Sequence, residues 1–99
     1  MTITGAGGVI IQSIAFSEKF KKQFQKLPAD IKDLIPKKLE DLKKQPLPAG
    51  LKFEKLKGYR RPDIYTIHIT GNYKISLEID GSVAKLRCVG NHDTIDRSP

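Results

Sequence analysis

Three segments of alternating character dominate the second half of the chain: Ile64 to Ile69 (IYTIHI), Tyr73 to Ile79 (YKISLEI) and Val83 to Val89 (VAKLRCV). Only Thr-Gly-Asn and Asp-Gly turn signals separate them, a pattern that predicts a three-stranded antiparallel meander. Register follows from alternation, because a slip of one residue moves a strand's apolar set to the opposite face. Tyr73, Ile75, Leu77 and Ile79 are expected to point inward, and Tyr65 with them. A two-residue Asp80-Gly81 turn pairs Ile79 with Ser82, Leu77 with Ala84, Ile75 with Leu86 and Tyr73 with Cys88. A three-residue Thr70-Gly71-Asn72 turn pairs Ile69 with Tyr73 and His68 with Lys74. These registers put His68, Lys74 and Arg87 in one transverse row on the outer face, with Thr66, Ser76 and Lys85 in the row beside it. Directly opposed like charges weaken a sheet, so such a row implies an anion to bind.

The first half supplies what covers the inner face. Residues 1–8 (MTITGAGG) are small and glycine-rich and read as a loose tail, leaving a single domain over 9–99. Val9 to Phe16 is short and β-branched and reads as a strand. Ser17 is the expected N-cap of a helix that presents Phe20, Phe24 and Leu27 on one side and Lys19, Lys22 and Lys26 on the other. After Pro28 and Asp30 a second stripe of Ile31, Leu34, Ile35, Leu39 and Leu42 predicts a second helix, antiparallel to the first. Pro36 should kink it or delay its start. The predicted fold is an α+β domain of order β-α-α-β-β-β, with two helices on one face of an antiparallel meander sheet.

Charge narrows the partners. Eighteen Lys and Arg against 11 Asp and Glu give a net +7, a balance suited to nucleic acid or an acidic protein. Five of the basic residues, Lys52, Lys55, Lys57, Arg60 and Arg61, fall within ten positions. No run approaches the roughly 18 apolar residues that span a bilayer, and no basic region precedes the short apolar run at the start, so a cytoplasmic protein without a membrane partner is expected. The single Cys88 excludes an internal disulfide and is expected to be buried and inert. Two separated histidines without HExxH or paired-cysteine spacing give no metal site, and no cofactor motif is present.

The order of elements, together with KLKG at Lys55–Gly58, NYKI at Asn72–Ile75 and VGNHD at Val89–Asp93, resembles the RelE/ParE toxin superfamily over roughly residues 9–96. The resemblance implies a small basic bacterial toxin with a cognate antitoxin. RelE-like members are mRNA interferases that cut messages in the ribosome and block translation; ParE-like members poison DNA gyrase. Two departures stand out. A Tyr-Arg pair usual on the middle strand is Tyr73-Lys74 here, which keeps the charge and loses the guanidinium fork. A Val-Gly-His-Arg stretch closed by Tyr is matched by Val89-Gly90-Asn91-His92, with Asp96 at the closing position.

Metal-independent RNA cleavage needs a base for the 2′-hydroxyl, cations for the phosphorane and an acid for the leaving 5′-oxygen. Imidazoles and ammonium or guanidinium groups meet those needs near neutral pH. With the resemblance, His92 becomes the candidate acid or base, oriented by Asp93 or Asp96, and His68 takes the complementary role. Lys74 and Arg87 are candidates to hold the scissile phosphate. Lys52, Lys55, Lys57, Arg60, Arg61 and Lys85 would follow the RNA backbone. Tyr59 is the tyrosine placed to stack on a base. Each also has a plain structural role open to it: a turn cap for His92, a polar surface residue for His68, a solvated loop for the basic cluster. A gyrase-binding toxin and an attenuated antitoxin-binding module stay open beside the endoribonuclease.

Overall fold

The computed structural model describes residues 10–44, 47–56, 58 and 63–99. The expected N-terminal tail lies outside them. Strand β1 (Ser13–Phe16) leads into α1 (Glu18–Gln25) and α2 (Ala29–Leu42), then a 3-10 turn (Ala49–Leu51). Strands β2 (Glu54–Lys55), β3 (Tyr65–His68), β4 (Tyr73–Asp80) and β5 (Val83–Asn91) follow, and α3 (His92–Arg97) closes the chain.

Local chemistry explains the helices. The Ser17 hydroxyl accepts from the Phe20 N–H at 3.0 Å, satisfying one of the free donors of α1, and Glu18 faces its positive end. Phe20 is buried and stacks against Phe24 at 6.3 Å, while Lys19, Lys22 and Lys26 face solvent. In α2 the buried residues are Ile31, Ile35, Leu39 and Leu42. Leu34 departs from the expected stripe and is 37% exposed, because at 100° per residue it falls on the flank of the line through the other four. Pro36 neither delays nor divides α2, which runs unbroken through it.

The sheet has five strands in the order β1-β5-β4-β3-β2. The expected meander is its antiparallel centre. Strand β1 adds a parallel edge, with Ser13 opposite Val83 and Phe16 opposite Leu86. It is shorter than the expected Val9–Phe16: Ile11 is buried ahead of it, and Val9 lies outside the described residues. One core joins Phe20, Ile31, Ile35, Leu39 and Leu42 to Ile67, Ile75, Leu77, Ala84, Leu86 and Val89. Both helices therefore cover the same sheet face, as the pattern predicts.

The first hairpin has the expected register, with His68 opposite Lys74 and the Ile69 N–H donating to the Tyr73 carbonyl at 2.8 Å. The second does not. Its turn is Gly81-Ser82, so Asp80 pairs with Val83, Ile79 with Ala84 and Leu77 with Leu86, two positions from the expected register. Gly81 takes the first turn position at φ 63°, where a two-residue hairpin favours glycine. A bulge between Ser76 and Leu77 then adds one more step: Ser76 pairs with Cys88, Ile75 with Val89 and Lys74 with Gly90, leaving Arg87 without an opposite. Val89, rather than Cys88, thus joins the core.

Helix α3 packs on β4 and β5. Its buried Ile95 stands apart from the core shared by α1 and α2, so α3 covers the opposite sheet face. Among the described residues no helix is long and apolar enough to cross a membrane.

Candidate functional site

Two candidates are neighbours on the sheet face beneath α3, and a third opens that helix and is linked to them through Asp96. His68 and Lys74 are cross-strand neighbours on β3 and β4. His92 is the first residue of α3, and its N–H donates to the Asn72 carbonyl in the β3–β4 turn at 2.8 Å. Asn91 caps α3 by accepting from the Thr94 N–H at 2.9 Å. His92 therefore belongs to a helix rather than the expected post-strand loop. The segment HDTIDR has one apolar residue and so no periodicity to betray a helix, although Asn91 at the cap, Asp93 in the first turn and Arg97 in the last form an end-to-end signal.

Asp96 ties the cluster together. One carboxylate oxygen accepts from the Lys74 ammonium at 2.8 Å, and the other lies 3.8 Å from His92 Nδ1. Asp93 lies 3.4 Å from the same nitrogen. Glu54 on β2, which the sequence did not point to, stands 3.9 Å from the Lys74 ammonium. Lys74 lies on the sheet face away from α1 and α2, as expected. It is 6% exposed, since α3 covers it and carboxylates meet its charge. That pairing matters because an isolated buried ammonium is costly.

Electrostatics set the protonation states. Burial pushes the His68 imidazole below its ordinary value, with Lys74 and Lys52 adding to the effect against the weaker pull of Glu54 and the Thr70 backbone. His68 is accordingly neutral at neutral pH. The hydrogen bond from Lys74 holds the Asp96 carboxyl below the usual range, against the opposing effect of burial. Beneath them lie Thr66 and Ser76, paired across β3 and β4, whose buried hydroxyls meet no partner among the described residues.

Arg87 is not in this row. The changed register puts Gly90 opposite Lys74, and Arg87 instead pairs with Glu78 and donates to the Pro99 carbonyl. Lys85 likewise leaves its expected place: it sits opposite Glu78 and forms an ion pair with Asp80 at 3.2 Å. Lys55 pairs with Asp63 at 3.3 Å. Lys52 is exposed, with a left-handed backbone at φ 50°. Lys57, Tyr59, Arg60 and Arg61 lie outside the described residues. Tyr65 and Tyr73 pack against the core, and Cys88 is buried, all as expected. No set of three or more His, Cys, Asp or Glu among the described residues is placed to hold a metal ion.

A concavity of about 800 Å³ opens away from this cluster, between β1, α1 and α2. Ile14, Phe16, Phe20, Phe24, Ile35 and Leu39 line it, with Lys21 and Lys43 also on its walls.

No protein-family model matches the chain, and no curated protein matches it in sequence. Solved structures do. A chain of the RelB–RelE antitoxin–toxin complex from Methanococcus jannaschii is 29% identical, with a TM-score of 0.66 over 86% of this chain and 99% of that one. The archaeal RelE–RelB complex from Pyrococcus horikoshii contains a chain of the same fold at 18% identity, TM-score 0.65, covering 83% and 96%. YafQ from Escherichia coli shares the fold at 15% identity, TM-score 0.62, covering 83% and 94%. The strand order, the helical layer and these likenesses lead to one assignment: the chain belongs to the RelE-like toxin superfamily.

Proposed function

We propose that this protein is the toxin of a toxin–antitoxin pair and that the sheet face beneath α3 is a metal-independent endoribonuclease site acting on mRNA at the ribosome, in the cytoplasm. The observation that carries the reading is the convergence of His68, Lys74 and His92 from three separate elements. His68, held neutral by burial and two lysines, is the base that takes the 2′-hydroxyl proton. The 2′-oxygen attacks phosphorus, the bond from phosphorus to the 5′-oxygen breaks, and His92 protonates that oxygen. The products are a 2′,3′-cyclic phosphate and a 5′-hydroxyl. Lys74 and Lys52 stabilise the phosphorane charge, and the basic stretch from Lys52 to Arg61 follows the RNA backbone.

Similar chains are found in RelB–RelE complexes and a DinJ–YafQ complex, which supports an antitoxin as partner. The apolar concavity between β1, α1 and α2 suits the apolar face of an amphipathic antitoxin segment. A second reading, a non-catalytic antitoxin-binding module, draws on the neutralisation of Lys74 by Asp96.

Induced expression of wild type and His92→Ala without antitoxin decides between them, with protein synthesis, transcript 5′ ends and plasmid supercoiling followed together. The expected result is early loss of translation with new 5′ ends inside translated messages, both absent in the variant. Arrest with altered supercoiling and intact messages would move the protein to the gyrase inhibitors. No arrest would favour the binding module.

A further inference from the structure

The cation best placed to hold a phosphate already holds an anion. Lys74 is 6% exposed and has two carboxylates within 4 Å, Asp96 at 2.8 Å and Glu54 at 3.9 Å. Two negative charges around one positive charge give a local excess of acid, which repels an approaching phosphodiester. A carboxylate presents two oxygens much as a phosphodiester presents its two non-bridging oxygens, and both accept charge-assisted bonds from an ammonium. Asp96 thus sits where the reading above requires the scissile phosphate.

The element that carries Asp96 is short and held by few contacts. Helix α3 has six residues and one buried side chain, Ile95, and helices so short have little stability of their own. Its links to the sheet besides Ile95 are the Asn91 cap, the His92–Asn72 backbone bond and the Asp96–Lys74 pair, and just past its end the Pro99 carbonyl accepts from Arg87 and Cys88 on β5. The Asp96 side chain is 44% exposed, whereas that of Lys74 is 7%, so the carboxylate can leave toward solvent while the ammonium stays.

We propose that Asp96 is an internal stand-in for the substrate phosphate, a latch residue that occupies Lys74 until an RNA phosphodiester displaces it and α3 shifts outward. The inference rests on the endoribonuclease reading for the identity of the displacing group, and it makes the free protein a closed form of its own site. Asp96 acts through Lys74 and is a positioning residue, not a proton donor in the reaction.

The test reads binding without cleavage. A fluorescent 2′-O-methyl oligoribonucleotide, which lacks the attacking hydroxyl, is titrated into full-length wild type, Asp96→Asn and Asp33→Asn across a range of KCl concentrations. Asp33 is an exposed carboxylate on α2 and controls for a unit change in net charge. Asp96→Asn is expected to bind about tenfold more tightly at low salt. Freeing one more cation steepens the plot of log K against log salt by about 0.7 for single-stranded RNA. Asp33→Asn should change neither quantity comparably, and adding Lys74→Met to Asp96→Asn should abolish both gains. Equal effects of Asp96→Asn and Asp33→Asn would reduce Asp96 to a structural counter-ion and overturn the proposal.

A wild-type measurement covers the case in which Asp96→Asn does not fold. The Ile95 and Asp96 amide resonances should shift as the oligonucleotide is added; their standing still while other signals shift would equally sink the latch. Cleavage is scored separately, so an inactive protein that still gains affinity on Asp96→Asn overturns the ribonuclease reading and keeps the anion seat.

Discussion

His68 experiences two effects of the same sign, burial and the nearby ammonium groups of Lys74 and Lys52, and both disfavour the imidazolium. Its folded-state pKa is therefore lower than that of the unfolded chain, and the unfolded chain binds more protons from about pH 6.5 downward. Stability should fall as pH drops through that value toward the folded pKa, and be unaffected by this group above it. His68→Gln is expected to remove that part of the slope, by up to one proton, when urea unfolding is compared at pH 7.5, 6.5 and 5.5. An unchanged slope would show that His68 is not desolvated. Asp96 acts in a different range: its lowered pKa contributes stability that is intact above about pH 4 and lost below it. Both histidines were legible as candidates. The fate of Lys74 was not, because its partner lies 22 positions away on a helix without periodicity.

At the scale of elements, strong patterns were legible and short ones were not. The alternation of β4, the cap at Ser17 and the three-residue turn of the first hairpin all follow from residue chemistry that acts within a few positions. Strand β2 has two residues, too few for any alternation to show. The β4–β5 register misled because Asp80-Gly81 and Gly81-Ser82 are both acceptable turns, and the bulge leaves no local mark. Helix α3 depends on Ile95 for its docking, so Ile95→Ala should cost it about 2–5 kcal/mol of local stability. Amide exchange in α3 is expected to accelerate at least tenfold while Ile75 and Leu77 amides in β4 keep their protection. Equal loss of protection in both places would show that α3 and the sheet open as one unit.

Across the whole molecule the chain is closed by contacts between its distant parts. β1 pairs with β5 over 70 positions, the Ser17 hydroxyl donates to the Arg87 carbonyl, and the Gln23 side chain accepts from the Val89 N–H at 2.9 Å. Forming such contacts requires loop closure before any reward, so refolding is expected in milliseconds to seconds. Stopped-flow dilution from urea checks this, and complete refolding within microseconds would contradict it. The fold class could be read at this scale because burial on one face of a sheet is a global demand that every strand and helix must satisfy together. The bulge beside Ser76 has a consequence for descent as well as for shape. Because Arg87 has no opposite, it is a place in β5 where a lineage can gain or lose a residue while Leu86 and Val89 keep their seats in the core.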